Sequence, residues 1–363
     1  EAAGYEALVL TVDAPTSGAR DRERRAGFRL PPGVSAVNLA GLAPAEELML
    51  NEQPVSQPAR VVDQRAYDEA AGINEAAWQW WVQQNSRPEA WNTTYLMERG
   101  LAGTIATGWA PPGWDDLVTH LSKQGYTDDA LLRAGVASRT RDGRLIDKFR
   151  DRIVVPVRDS QGRVVGVSAR RNPTVSDDAT PKYMNTPASE AYNKRELLLG
   201  WDESTAAALR EGARVMFVEG PMDRAAILAL GLEGIVPLAP CGTALTDEQL
   251  DLVRDAGGDL SQAIFAFDGD KAGRMATSRA WERLTPHEAL GASYLSLPAG
   301  SDPADMIHSG EHELLRGFVQ WSGSLKETMV EQLLAEAPMD TVERRVAAAR
   351  RVAEMMVRLP EDL

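Results

Sequence analysis

Acidic residues recur in three tight groups across the second half of the chain. Glu219 and Asp223 enclose Gly220-Pro221-Met222, Asp268 and Asp270 enclose Gly269, and Asp302 and Asp305 enclose Pro303-Ala304. Each group follows a short apolar run of strand length, at 215–218, 263–267 and 292–297. Asp268 and Asp270 are two apart, so both side chains face one way along an extended segment. Gly269 and Gly273 permit close backbone approach. Carboxylates that converge repel one another unless a cation neutralises them. An all-oxygen set suits a hard divalent ion such as Mg2+ or Mn2+. Such an ion orients a nucleoside triphosphate and stabilises in-line attack at phosphorus. The plainer reading is that each acid caps the helix after its strand; three groups at successive strand ends favour convergence instead.

For the groups to meet, the strands before them must lie side by side. Residues 213–310 alternate accordingly, with strands at 215–218, 234–238, 263–267 and 292–297 and helices at 222–230, 246–256 and 272–284. Thr246, with Gln249 three residues on, reads as a capping box. This rhythm predicts a parallel sheet with helices on its faces, and ligands in such sheets sit beyond the carboxyl ends of the strands. Upstream, 153–157 and 164–167 read as strands joined by a hairpin-like turn at 158–163. Between residues 141 and 200 there are 12 Lys and Arg against 8 Asp and Glu, a local excess of four positive charges. Short helices are expected between 86 and 135, one opening near Pro88 and one at Asp115-Asp116. Residues 66–84 carry helix formers with Trp78, Trp80 and Trp81. The favoured reading is a helix packing its tryptophans inward; the sharper one is a base-stacking platform for single-stranded nucleic acid. Residues 311–363 read as helical, with a helix across 342–358. At the other end, 7–12 reads as a buried strand, 30–33 as a breaker, and Pro54 and Pro58 as marks of a linker.

The 363 residues suffice for two or three domains. With 44% hydrophobic and 25% charged residues the chain reads as globular and soluble, and no apolar run approaches the roughly 20 residues that span a bilayer. The first residues lack the pattern of a signal peptide, and the absence of an initial Met suggests a processed or excised piece. The single cysteine, Cys241, excludes an internal disulfide, and with four histidines a structural zinc ribbon is not expected. A cytoplasmic setting is the default. The formal net charge of −14 argues against non-specific adhesion to DNA or to an anionic membrane, so the basic stretch stands out as a local feature.

The acid groups, with Gly242-Thr243-Ala244-Leu245-Thr246 between them, resemble the TOPRIM module shared by bacterial primases, topoisomerases and some nucleases. Three flanking stretches narrow the resemblance: Phe149-Arg150-Asp151-Arg152-Ile153-Val154-Val155-Pro156-Val157, Pro181-Lys182-Tyr183-Met184-Asn185-Thr186-Pro187, and Tyr95-Leu96-Met97-Glu98-Arg99-Gly100 with 108–114. From about residue 91 onward the chain is similar to the RNA-polymerase domain of DnaG-type bacterial primases, and its Gly-Pro-Met form is similar to primases of mobile elements. The resemblance implies an α/β fold: an α+β N-terminal subdomain at 91–205, a TOPRIM parallel sheet with flanking helices at 206–310, and a C-terminal helical subdomain at 311–363. It implies Glu219, Asp268 and Asp270 as catalytic carboxylates, and these with Asp223, Asp302 and Asp305 as the Mg2+ or Mn2+ set. Ala304 stands where the family usually has an acid, which leaves the part of Asp305 open. Arg150, Arg152, Lys182, Asn185, Lys194, Arg195 and Lys271 are the implied nucleotide and template contacts. The implied partners are nucleoside triphosphates and a single-stranded DNA template, with no membrane. Zinc-ribbon and helicase-docking functions would fall to parts outside this chain.

Residues 1–43 resemble something else. Leu10-Thr11-Val12-Asp13-Ala14-Pro15, Gly18-Ala19-Arg20 and Gly27-Phe28-Arg29-Leu30-Pro31-Pro32 are similar to FMN-dependent α-hydroxy-acid oxidases, in which Thr11 would meet flavin and Arg20 a substrate carboxylate. One strand and its loop cannot close a barrel, so this stretch is expected to be a fragment that holds no FMN, followed by a linker and helix at 44–90. The sequence as a whole predicts template-directed RNA primer synthesis. The rivals are a TOPRIM nuclease, which would need no triphosphate site, and a non-catalytic nucleic-acid-binding module of a mobile element. A topoisomerase is disfavoured because no tyrosine lies in a recognisable cleavage domain.

Overall fold

The computed structural model describes residues 62–357 and 359, apart from 176–179, 243 and 299. The oxidase-like stretch with Thr11 and Arg20, the linker prolines and Thr243 lie outside the described residues. The described residues belong to one compact unit.

The N-terminal part opens with helix α1 (Gln64–Gln84), started by Asp63, whose carboxylate accepts from the amides of Arg65 and Ala66. Helices α2 (Trp91–Glu98), α3 (Asp116–Lys123) and α4 (Asp128–Arg133) follow, with strand β1 (Gly108–Ala110) after α2. A small hairpin joins β2 (Ala137–Arg139) to β3 (Leu145–Asp147). Next come β4 (Arg152–Arg158), β5 (Val164–Arg171) and β6 (Tyr183–Asn185), and the four strands form an antiparallel sheet in the order β1-β4-β5-β6. The turn between β4 and β5 is the expected hairpin: Asp159 accepts from the amides of Gln161 and Arg163, and Gly162 takes φ +78°. Helix α1 packs on this sheet. Trp78, Trp80 and Trp81 are 6%, 7% and 1% exposed, and Trp81 meets Phe149 edge-on at 5.8 Å. The tryptophans are core, and no base can stack on them.

The second sheet has six strands. Strand β7 (Leu198–Leu199) and helix α5 (Glu203–Arg210) lead into β8 (Arg214–Val218), α6 (Pro221–Ala229), β9 (Ile235–Pro240), α7 (Asp247–Asp255), β10 (Ile264–Ala266), α8 (Lys271–Arg283), α9 (Pro286–Gly291) and β11 (Ser293–Tyr294). Then come α10 (Pro303–His308), α11 (His312–Gln320), β12 (Gly323–Ser324), α12 (Leu325–Glu336) and α13 (Val342–Met356). The strand order is β12-β11-β10-β8-β9-β7; the four central strands are parallel, as expected, but both edge strands run antiparallel. At two residues each, the edges are too short to show a period in sequence. Strand β7 also precedes the expected boundary at 205, so the chain enters this sheet before the N-terminal part has ended.

Central strands are covered on both faces, which is why they read as continuous apolar runs. Along β8, Met216 and Val218 join an apolar cluster that reaches back to α1 and β4, while Val215 and Phe217 join a second cluster on the opposite face. Phe217 stacks on Phe265 of the neighbouring β10 at 5.4 Å. The capping box forms as expected: the Thr246 hydroxyl accepts from the Gln249 amide, and Gln249 Oε1 accepts from the Thr246 amide, each at 3.2 Å. Among the described residues no helix is long and apolar enough to cross a membrane.

Candidate active site

The carboxylates stand where strands end and helices begin. Glu219 follows β8 directly, and its Oε1 accepts from the Asp268 amide at 2.8 Å, tying the end of β8 to the end of its parallel neighbour β10. Asp223 lies in the first turn of α6 and accepts from the Gly220 amide at 3.1 Å. Asp270 caps α8 through the Gly273 amide at 2.8 Å, and Asp302 caps α10 through the Asp305 amide at 2.6 Å. Capping does not use these acids up: each of the four places one oxygen on a backbone amide, and a carboxylate has two; Glu219, Asp223 and Asp302 line one cavity with Asp268, whereas Asp270 stands outside its lining. Gly273 makes the tight loop possible, because a Cβ there would run into the backbone carbonyl of Asp268.

The acids act on one another. Burial pushes the Asp223 carboxyl well above its ordinary range, followed by the charges of Asp302, Asp268 and Glu219, while Lys182 pulls it down. Asp268 is raised by burial and then by Asp302 and Asp270, again opposed by Lys182. Burial raises Glu219 also, against the stabilising hydrogen bond from the Asp268 amide. Such a cluster is stabilised by a cation, and its all-oxygen chemistry fits a hard divalent ion. Among the described residues no three His, Cys, Asp or Glu side chains form a ready-made ion cage. Mg2+ is ordinarily held by one or two carboxylates together with water and phosphate oxygens, so the donor set fits an ion that takes the rest of its ligands from elsewhere.

Beside the acids opens a cavity of about 430 Å3, lined on one side by Glu219, Asp223, Asp268 and Asp302 and on the other by Arg170, Lys182 and Asn185 of the antiparallel sheet and its approach. Asn185 donates to the Cys241 carbonyl at 2.7 Å, and its own Oδ1 is buried without a hydrogen-bond partner. Cys241 also lines the cavity; burial pushes its thiol up to about 12, so it is no nucleophile.

The expected basic contacts divide sharply. Lys182 and Asn185 line the cavity. Lys194, Arg195 and Lys271 are exposed and stand outside its lining, with Arg195 ion-paired to Glu248 at 3.0 Å. Arg152 needs correction: it is 3% exposed and donates to the carbonyls of Ala169 and Pro181, so it holds the sheet together and offers nothing to a template. Arg150 stacks 4.6 Å from the exposed ring of Trp114, away from the cavity. Residues two apart on a regular strand would face the same way, but Asp151 between them takes φ +49°, held by Trp91 Nε1 at 2.6 Å and Asn172 Nδ2 at 3.0 Å. Asp305 is ion-paired to Arg99.

Arg170 and Arg99 line the cavity and were not singled out from sequence. Arg170 lies between the rings of Tyr95 and Tyr183, at 5.1 and 5.7 Å, and donates to the Tyr95 hydroxyl. The available signal was strand alternation: Ser168 and Arg170, two apart on β5, both reach the cavity.

A parallel sheet with acids at the ends of adjacent strands is the Toprim type of catalytic module, and the "Toprim-like" family pattern matches residues 216–307. The pattern "DNA primase catalytic core, N-terminal domain" matches residues 81–205. The DNA primase of Pseudomonas aeruginosa is 35% identical over 274 residues, covering 73% of this chain and 40% of that protein. The crystal structure of the RNA polymerase domain of Mycobacterium tuberculosis primase DnaG in complex with double-stranded DNA is similar with TM-score 0.67 and 32% identity, over 81% of this chain and 93% of that one. A DnaG primase catalytic domain bound to single-stranded DNA matches with TM-score 0.69 and 26% identity, over 83% and 96%. The chain belongs to the family of DnaG-type primase catalytic cores. It spans about two fifths of the length of the curated relatives it matches. A third pattern, "FMN-dependent dehydrogenase", matches residues 1–93. That match runs well past residue 43 and overlaps α1 and α2, although α1 is built into the core of the unit described above.

Proposed function

We propose that this chain is a catalytic domain that synthesises short RNA primers on single-stranded DNA from nucleoside triphosphates by metal-dependent nucleotidyl transfer. The observation that carries the reading is the cavity with clustered carboxylates on one wall and Lys182, Arg170 and Asn185 on the other. A triphosphate needs both walls: cations for its oxygens and carboxylates for the ion that accompanies it.

Glu219, Asp268 and Asp270 would hold Mg2+ or Mn2+, with Asp223 and Asp302 in support. When bound, such an ion activates an attacking 3′-hydroxyl and stabilises the leaving pyrophosphate. Lys182 and Arg170 bind phosphate oxygens, and the tyrosines flanking Arg170 fix its guanidinium before substrate arrives, which limits the ordering cost on binding. The orphaned Oδ1 of Asn185 accepts a hydrogen bond from a ribose hydroxyl or a base. Template passes over the basic N-terminal part. We place template selection and helicase docking on other modules, the reaction in the cytoplasm, and no FMN in the working domain.

The test is incorporation of labelled ribonucleotides on mixed single-stranded DNA with Mg2+ or Mn2+. Short RNA is expected from the unsubstituted chain, with a loss of at least about a hundredfold in Asp268→Ala. A folded chain that cuts DNA and makes no RNA would establish the nuclease reading instead.

A further inference from the structure

Asp305 belongs by sequence to the third acid group and lines the same cavity as Glu219, Asp223, Asp268 and Asp302, yet its carboxylate is ion-paired to an arginine. Arg99 Nη2 donates to Asp305 Oδ1 at 2.5 Å. The Arg99 side chain is 18% exposed and its guanidinium lies 5.7 Å from the centre of the Tyr95 ring, so this cation is held on a platform and does not swing in solvent.

The ion pair sits in a wider contact between the end of α2 and helix α10. His308 Nδ1 lies 3.0 Å from the Glu98 carbonyl oxygen. Gly100, at φ +68°, packs so close to Ile307 that a Cβ there would stand 3.2 Å from Ile307 Cγ2. Residues 98, 99 and 100 thus grip 308, 305 and 307 in turn. Arg99 and Asp305 both line the cavity, and the grip is passed on to the acids by the backbone: the Asp305 amide donates to Asp302 Oδ1 at 2.6 Å. Where Asp305 is held, the carboxylate of Asp302 is aimed.

We propose that Asp305 serves as the anchor of Arg99 and not as a metal ligand, and that Arg99 is a positioning residue that aims Asp302 at the carboxylate cluster. The inference rests on the metal-dependent reading above and concerns how the acids are held. Arg99 lies 206 residues from Asp305 along the chain, so the N-terminal part sets the geometry of the acidic wall it faces.

The experiment measures Mn2+ binding to the full chain by calorimetry and by paramagnetic resonance of free Mn2+, with Arg99→Gln, Asp305→Asn, the double variant and Asp268→Ala. Partners that orient metal ligands typically contribute 10–100-fold in affinity. Arg99→Gln and Asp305→Asn should each weaken Mn2+ binding about tenfold, and the double variant should equal either single, since both break one contact. Arg99→Lys should restore part of the affinity and guards against a folding defect in the Gln variant. Three results would overturn the proposal. Tighter Mn2+ binding in Arg99→Gln would mean that Arg99 competes with metal for Asp305. Multiplying losses in the double variant would make Asp305 a ligand in its own right. Unchanged affinity in both singles would make the pair a surface contact. A chain that binds Mn2+ but makes no RNA would sink the proposed function while the binding comparison still decides the role of Asp305; a chain that binds no Mn2+ would overturn both.

Discussion

A Cβ built on Gly273 would lie 2.0 Å from the carbonyl oxygen of Asp268. The obstruction is backbone, so no side-chain rotation relieves it, and Gly273→Ala must displace the loop that carries Asp268 and Asp270. Because that loop is at the surface end of the sheet, RNA synthesis should fall at least about tenfold with a melting temperature lowered by only a few degrees; a variant with full activity would show that the loop tolerates the shift. This spacing of acids and glycines was legible in sequence because it is local. The separate fates of Arg150 and Arg152 were not. They depend on the left-handed turn at Asp151, held by Trp91 and Asn172, and neither partner is near it in sequence.

Helix α3 shows the same dependence at the scale of an element. The sequence signals its start through Asp115 and Asp116, but Asp115 makes no cap hydrogen bond. The cap comes from Asp147 at the end of β3, 2% exposed, whose two oxygens accept from the amides of Leu117 and Val118 at 3.0 and 2.9 Å. Burial outweighs these bonds and raises its carboxyl from the ordinary 3.8 to about 6. The folded state then keeps a proton that the unfolded chain has released. Its stabilising contribution is full below pH about 4 and is lost as pH rises to about 6, a change of about 3 kcal/mol at most. Asp147→Asn removes the titration, so the difference in melting temperature between the two proteins should vary with pH across that window and be flat above it. A difference independent of pH would show that Asp147 titrates normally.

At the scale of the molecule, α1 joins two stretches that sequence similarity divides differently. The dehydrogenase-like match ends at residue 93 and the primase-like one begins at 81, yet α1 packs on β5 and β1 as part of one core. Ile73 and Trp81 are 0% and 1% exposed, and losing one such tryptophan costs about 3–5 kcal/mol against a total stability of about 5–15 kcal/mol. A chain of residues 62–363 should therefore keep a single cooperative melting transition, whereas residues 94–363 should lose it, as differential scanning calorimetry would show. Cooperative melting of the shorter chain would make α1 an accessory and not core.

What the sequence determined by itself was the part written in short-range pattern. Apolar runs of strand length, the Thr246–Gln249 capping box and acids placed directly after strands specify the alternation of strands and helices, a parallel sheet, and acids at its strand ends, because strand period and cap chemistry act over a few residues. Tertiary structure alone decided which cations face those acids. Arg170 and Arg99 reach the cavity while Arg152 is sealed in the sheet, and the two-residue edges β7 and β12 exist only because neighbouring strands offer them free backbone groups. Those outcomes depend on burial and on partners far away in the chain, which no local spacing records.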